Sequence, residues 1–389
     1  MLFKRLAASI AAPVLVLGML PAHAFAAEET PAVTVPSAIL VERSTGRALF
    51  EKDADVRRAP ASITKIMTLL LVMEALDGGR ISPDESVTCS EYASSMGGSQ
   101  IWLEPYEQMT VHELLKATAV ASANDAAVAL AEHLSGSEEA FVEEMNRHAA
   151  ALGMSGTNFV NCTGLDEEGH YTTARDIAKM AAALLEHRKI LDYTGIWMDE
   201  LRAGETQLVN TNRLIVQYPG ATGLKTGSTD NAGKCLCASA ERDGMELVSV
   251  ILGAPESDAQ FGQSRLLLDW GFDTFMSVPV RLPEGALSAL RVEHGVSPEV
   301  EVYADGPENV IIERADEGKL GYEVTLSPSV QAPVENNQTV GEVLVHVDSE
   351  EVCTFPVLTK NAVARMTFPR AAGRLFGSLF SVDNTGAMG

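Results

Sequence analysis

Positive charge is scarce in this chain. Its 389 residues hold 29 Lys and Arg against 53 Asp and Glu, a formal net charge of -24. That balance excludes nucleic acid as the main partner, because phosphate binding needs a basic face. It also argues against anionic lipid held by the bulk of the surface. Cysteine is sparse as well. The five residues Cys89, Cys162, Cys235, Cys237 and Cys353 are an odd, scattered set that resembles no disulfide framework. Cys235 and Cys237 would share one strand face about 6.7 Å apart, too strained for a bridge, so buried free thiols are expected. No C-x-x-C or H-x-x-x-H cluster exists, so neither a metal site nor a cofactor is expected. There is no internal repeat and no low-complexity linker.

What is present suits a globular protein of about two domains, with 46% hydrophobic residues to bury. Lys4 and Arg5 precede an apolar stretch from Leu6 to Leu20, and Ala22-His23-Ala24 and Ala24-Phe25-Ala26 are small-x-small cleavage sites. Residues 1–26 are therefore expected to be an export signal. A retained membrane helix is the alternative, but the stretch is shorter than the roughly 20 residues needed to span, and Pro13 interrupts it. At the other end, Thr354 to Val382 contains no Asp or Glu, while Lys360, Arg365, Arg370 and Arg374 are cationic. Phe368, Ala371, Ala372, Leu375, Phe376, Leu379 and Phe380 fall on one helical stripe. This basic amphipathic tail, 360–389, is expected to lie in a membrane interface, the alternative being a last helix docked on the protein's own surface.

Between the ends two textures follow one another. Ser37–Glu42 and Arg47–Lys52 read as a hairpin, and a helix is expected from near Pro60 to Gly78-Gly79. Helical patterns follow at Val111–Ala121, Asp125–Leu134, Glu138–Leu152 and Thr173–Glu186. Strand patterns return at Gly223–Thr226, Lys234–Ala240 and Glu246–Leu252, before a last helix over Gln260–Phe275. After about Pro279, short alternating runs with Gly, Pro, Asn and Asp turns read as an all-β domain. The expected layout is a mixed α/β domain over 31–276 and a β domain over 279–359.

Three motifs occur once each, in order: Ser62-Ile63-Thr64-Lys65, Ser122-Ala123-Asn124 and Lys225-Thr226-Gly227. The first two would each arise by chance about once in such a chain, the third on the order of 0.05 times. Lys65 is the only charged residue between Ala59 and Met73, on a helix apolar nearly all round. Burial lowers a lysine pKa, and a neutral amine one turn from Ser62 can take the hydroxyl proton. The plainer reading is a lysine snorkelling to water. Ser122 could relay a proton and Asn124 could orient Lys65 and bond a substrate amide, or both could simply cap a helix. Lys225 and Thr226 could bind a carboxylate, and Gly227 would leave room for close approach to the backbone. The N–H groups of Ser228 and Ser62 could form an oxyanion hole, the alternative being a solvated hairpin.

The ordered trio resembles the penicillin-interacting serine enzymes. Within them the chain is similar to the low-molecular-mass D-alanyl-D-alanine carboxypeptidases. The likeness lies in Ala121-Ser122-Ala123-Asn124-Asp125-Ala126-Ala127, Gly164-Leu165-Asp166, Thr173-Ala174-Arg175-Asp176, Gly223-Leu224-Lys225-Thr226-Gly227 and Leu267-Leu268-Asp269-Trp270-Gly271-Phe272. Ala332-Pro333-Val334, Gln338-Thr339-Val340-Gly341 and the basic tail extend it through the second domain.

The resemblance implies a β-lactamase/transpeptidase-like α/β domain, an antiparallel sheet flanked by helices, and a tail anchored on the outer face of the cytoplasmic membrane. It implies removal of the terminal D-alanine of peptidoglycan stem peptides through an acyl-enzyme on Ser62, and inhibition by β-lactam antibiotics. Lys65 would be the base, Ser122 and Asn124 the proton relay and orienting pair, and Lys225 and Thr226 the carboxylate site, with Gly227 and Ser228 beside them. Some relatives carry another residue where Ser228 stands, and they place an arginine near Asn210-Thr211-Asn212-Arg213. A D,D-endopeptidase would need the same machinery. A class A β-lactamase would need a glutamate in E-x-x-L-N, and this chain has no Leu-Asn dipeptide. An inactive wall-binding protein is hard to reconcile with intact Ser62, Lys65 and Lys225.

Overall fold

The first expected hairpin forms between β1 (Ser37–Glu42) and β2 (Ala48–Lys52). Its turn is held from inside by the buried Glu42 carboxylate, which accepts from the N–H and hydroxyl of both Ser44 and Thr45. The computed structural model describes residues 30–373, so the expected export signal and the tail beyond 373 lie outside the described residues.

β3 (Ala221–Thr229), β4 (Gly233–Arg242) and β5 (Met245–Ala254) make an antiparallel meander, and β5 pairs with β1. The five-stranded sheet therefore runs β2-β1-β5-β4-β3, with the strand of Lys225 on an open edge. Alternate residues serve separate cores. Ile39, Val41, Cys235, Cys237, Val248 and Val250 face one, and Ala38, Leu40, Leu236, Ala238, Leu247 and Ile251 face the other. Both faces are covered, which explains why these strands read as near-continuous apolar runs.

On the first face lie α1 (Lys65–Asp77), α2 (Val111–Val120), α3 (Asn124–Ser135), α4 (Glu138–Ala151) and α5 (Ala174–Glu186). On the second lies α6 (Ser257–Thr274). Side-chain caps start three of them: Thr110 with Glu113 in a capping box, Ser137, and Thr173. Every residue of α1 from Lys65 to Met73 is buried, so α1 is the central helix, as its lack of a polar face requires. It does not begin at Pro60. A single tight turn, Ala61–Thr64, precedes it and carries Ser62.

The second region is built of strands of two to ten residues. β6 (Phe275–Pro279) continues α6 and pairs with β10 (Asn309–Glu313). β7 (Leu290–Glu293), β8 (Glu299–Val300) and β12 (Ser329–Gln331) form one small sheet. β9 (Val302–Ala304), β14 (Glu350–Thr359), β13 (Thr339–Val347) and β11 (Leu320–Leu326) form another. Their common core is rich in valine, including Val292, Val343, Val345 and Val357. Backbone pairing continues past Thr359. Val334 and Val363 exchange hydrogen bonds of 2.9 Å, and Met366 N–H reaches the His294 carbonyl at 2.7 Å. Residues 360–366, expected to open the tail, are thus stitched into the β region. Phe368, beyond them, is 86% exposed. Among the described residues no helix is long and apolar enough to cross a membrane. All five cysteines are unpaired, four of them buried.

Candidate active site

The turn Ala61–Thr64 aims Ser62 at the head of α1, and Lys65 follows as the first residue of the helix proper. Lys65 is fully buried. Its Nζ lies 3.1 Å from Ser62 Oγ, 2.6 Å from Asn124 Oδ1 and 2.7 Å from the Thr163 carbonyl oxygen. Two of these three neighbours can only accept. The Asn124 amide cannot turn round, because its Nδ2 donates to the Gly97 carbonyl at 2.6 Å. A neutral amine has two N–H groups and one lone pair. With both hydrogens given to Asn124 and Thr163, the lone pair faces the Ser62 hydroxyl. Burial brings the Lys65 pKa down from 10.5 to about 7, against the opposing pull of Cys162 and Asp125, so the neutral form is accessible near neutral pH.

The third acceptor is positioned by the loop of Gly164-Leu165-Asp166, a segment of the sequence likeness whose part in the site the sequence did not show. Asn161 Oδ1 accepts from Thr163 N, Thr163 Oγ1 and Gly164 N, and Thr68 Oγ1 holds the Cys162 carbonyl. Gly164 stands at φ +85, and a Cβ there would overlap the Ala61 carbonyl oxygen. Across from it, a Cβ on Gly227 would meet Ser62 N at 2.9 Å and Ile63 N at 3.0 Å. The room left by Gly227, expected to serve a substrate, is filled by the chain's own turn. His170 props the turn from below: its Nδ1 accepts from Val160 N and its Nε2 therefore donates to Thr64 Oγ1 at 2.8 Å. Burial holds that imidazole down to about 4, so it stays neutral.

Ser122 and Asn124 are brought to the same place by the break between α2 and α3. Ser122 is buried at φ 62, a strained conformation for serine, and its hydroxyl has no hydrogen bond among the described residues. Asn124 opens α3 rather than sitting in the turn, and its N–H bonds the Ser99 carbonyl at 2.7 Å. The next residue, buried Asp125, was missed. Its carboxylate accepts from Ile101 N and Leu103 N, on either side of Trp102, which is 75% exposed at φ 59. The adjacent position in the motif was the available signal.

Along β3 the expected residues alternate between faces. Lys225 and Gly227 point to the α1 side with their partners Cys237 and Cys235. Thr226 and Ser228 point to the other side with Leu236 and Lys234. Lys225 is fully buried, with its Nζ 3.0 Å from the Thr226 carbonyl. Burial first, and Lys65 second, hold its pKa well below the usual lysine range. Thr226 Oγ1 donates to Thr211 Oγ1 at 2.6 Å, which makes Thr211 a further missed neighbour. Arg213 turns away: its guanidinium bonds Asp258 at 2.7 Å and stacks over Phe261 at 4.6 Å. Asp166 Oδ1 accepts from Thr229 Oγ1 at 2.7 Å, tying the Asn161–Asp166 loop to the β3–β4 turn.

Comparison with known proteins follows the same two-part division. A family model described as D-alanyl-D-alanine carboxypeptidase matches residues 24–256, and one for the C-terminal domain of penicillin-binding protein 5 matches 284–365. The chain is 39% identical over 383 residues to D-alanyl-D-alanine carboxypeptidase DacF of Bacillus subtilis, covering 96% of this chain and 98% of the relative. It is 35% identical to DacC of Escherichia coli, covering 87% and 88%. The crystal structure of penicillin-binding protein 5 from Haemophilus influenzae superposes with a TM-score of 0.80 at 30% identity, over 86% of this chain and 99% of that one. Penicillin-binding protein D2 of Listeria monocytogenes, solved with ampicillin bound, is similar over 62% of this chain and 98% of its own, with a TM-score of 0.55 at 33% identity.

Proposed function

The chain belongs to the serine-type D-alanyl-D-alanine carboxypeptidases, a penicillin-binding family, and from that premise we propose which atoms carry its reaction. Ser62 Oγ is the nucleophile, and neutral Lys65 takes its proton as the oxygen attacks the carbonyl of the penultimate D-alanine. The N–H groups of Ser62 and Ser228 receive the developing oxyanion. Lys65 returns the proton through Ser122 to the departing nitrogen, the C–N bond breaks, and free D-alanine leaves an ester on Ser62. Water attacks that ester, Lys65 accepts its proton, and the serine hydroxyl is restored. The observation that supports this reading is the three-way contact of Lys65 Nζ with Ser62 Oγ, Asn124 Oδ1 and the Thr163 carbonyl.

The substrate in this reading is the pentapeptide stem of peptidoglycan, and β-lactams acylate the same oxygen. Thr226 and Thr211 line the carboxylate end, with Lys225 contributing potential from beneath. The catalytic unit is assigned to residues 31–276 and the β unit to 279–359, lengthened by the pairing of Val363 and Met366. Export, and attachment to the outer face of the cytoplasmic membrane by the basic tail, complete the proposal. A fluorescent penicillin should label the wild type covalently and leave Ser62→Ala unlabelled, and the wild type should release D-alanine from a pentapeptide. Absence of label on folded wild type would sink the assignment.

A further inference from the structure

Among the described residues, Lys234 is a cation of the β3–β4 hairpin that has no counter-charge. It lies directly across the ladder from Ser228, and its Nζ is 2.7 Å from Ser228 Oγ. Paired residues share a face, so Lys234, Ser228 and Thr226 line the same side of the edge strand. Neighbouring cations are engaged elsewhere: beside the β3–β4 turn, Arg57 stacks over the Tyr171 ring at 4.5 Å and Arg58 Nε donates to Ser37 Oγ at 2.7 Å. Lys225 is buried on the opposite face with its Nζ on the Thr226 carbonyl, and Arg213 is drawn onto α6 by Asp258 and Phe261. The nearby Asp166 carboxylate takes Thr229 Oγ1 and Asn231 N instead of Lys234. Among the described residues Lys234 has no ion pair, and the Ser228 hydroxyl already orients its ammonium toward the strand edge.

We propose that Lys234, working with Ser228, is the residue that recognises the free carboxylate at the C-terminus of the substrate. A half-buried ammonium held beside a hydroxyl meets an anion at a lower desolvation cost than the fully enclosed Lys225 would. The pairing also gives Ser228 a purpose: a short hydroxyl leaves space for the lysine to reach across from β4. This inference rests on the carboxypeptidase reading, since it names the specificity determinant of that same site.

The test compares Lys234→Met and Lys234→Arg with wild type, as full-length chains, on two peptides. One ends in D-Ala-D-Ala with a free carboxylate, and the other is its C-terminal amide. Lys234→Met should lower kcat/KM on the free acid about tenfold, mainly through KM, and change the amide less than about twofold. Lys234→Arg should recover most of the loss, and high salt should weaken wild type more than Lys234→Met. Equal losses on both peptides, or no loss on the acid, would overturn the proposal. A wild type that cleaves neither peptide would instead remove the carboxypeptidase reading beneath it.

Discussion

Replacing Lys65 by Met tests the chemistry and the energetics of the site together. The Lys65 pKa falls from 10.5 in the ordinary case to about 7 in the folded protein, because of burial. The unfolded chain therefore binds the proton more tightly, and folding must expel it. Below pH 7 the penalty is complete, and it fades as pH climbs toward 10.5, so stability from this group rises with pH across that window. One pKa unit corresponds to about 1.4 kcal/mol, which makes the penalty about 4 kcal/mol at pH 7 and about 2 kcal/mol at pH 9.

Met removes the penalty but leaves Asn124 Oδ1 and the Thr163 carbonyl without their donor, at about 1–3 kcal/mol each. The absolute stability difference is thus a near balance, and its pH slope is the clean observable. Urea unfolding at pH 7, 8 and 9 should show wild type gaining about 2 kcal/mol on Lys65→Met over that range. Lys225 is held down partly by Lys65, so the comparison is repeated in a Lys225→Met background to remove that coupling. Acylation of wild type by penicillin should rise with pH to a plateau, with its midpoint near 7. A stability difference flat from pH 7 to 9, with an acylation midpoint near that of a free lysine, would refute a neutral Lys65 base.

Three further outcomes follow from the packing around Ser62. Gly227→Ala forces a methyl against Ser62 N and Ile63 N, and penicillin acylation should fall at least about tenfold, measured by stopped-flow label incorporation. Asn161→Ala strips the acceptor from Thr163 N, Thr163 Oγ1 and Gly164 N and should cost about 2–3 kcal/mol in urea unfolding; a loss below about 0.5 kcal/mol would contradict the loop's role. Arg213→Ala should leave acylation within about threefold, because Asp258 and Phe261 already hold that guanidinium on α6, and a loss beyond about thirtyfold would return Arg213 to the carboxylate site.

Local chemistry was legible where residue type and period alone decide it. The apolar surround of Lys65 announced a buried base, and the hairpin, the six long helices α1 to α6 and the meander of β3 to β5 were each readable from their periods. The long strand β14 was not, because Pro356 reads as a strand breaker; its ring sits opposite Glu342 in the ladder. The short pairs Ser86–Thr88 with Gln108–Thr110 and Met198–Leu201 with Thr206–Val209 are too brief to show a period. At the site, the Thr163 carbonyl was invisible because any residue can supply a carbonyl. Its position depends on Asn161 and on the fit of Gly164 against Ala61. Gly227 was read as space for a ligand, since sequence cannot tell which backbone fills the gap. The sidedness of Lys225 and Ser228 follows from strand alternation, but which face meets Ser62 required the tertiary contact.

The Asp125 carboxylate ties the Ile101–Leu103 segment to the machinery of the site. Adjacent in sequence, Asn124 grips Lys65 while Asp125 grips Ile101 N and Leu103 N, the amides on either side of the exposed Trp102. The Trp102 segment and the proton acceptor are therefore anchored by consecutive residues at the start of one helix. A substitution that displaces the start of α3 would therefore be felt both at the Ile101–Leu103 segment and at the base.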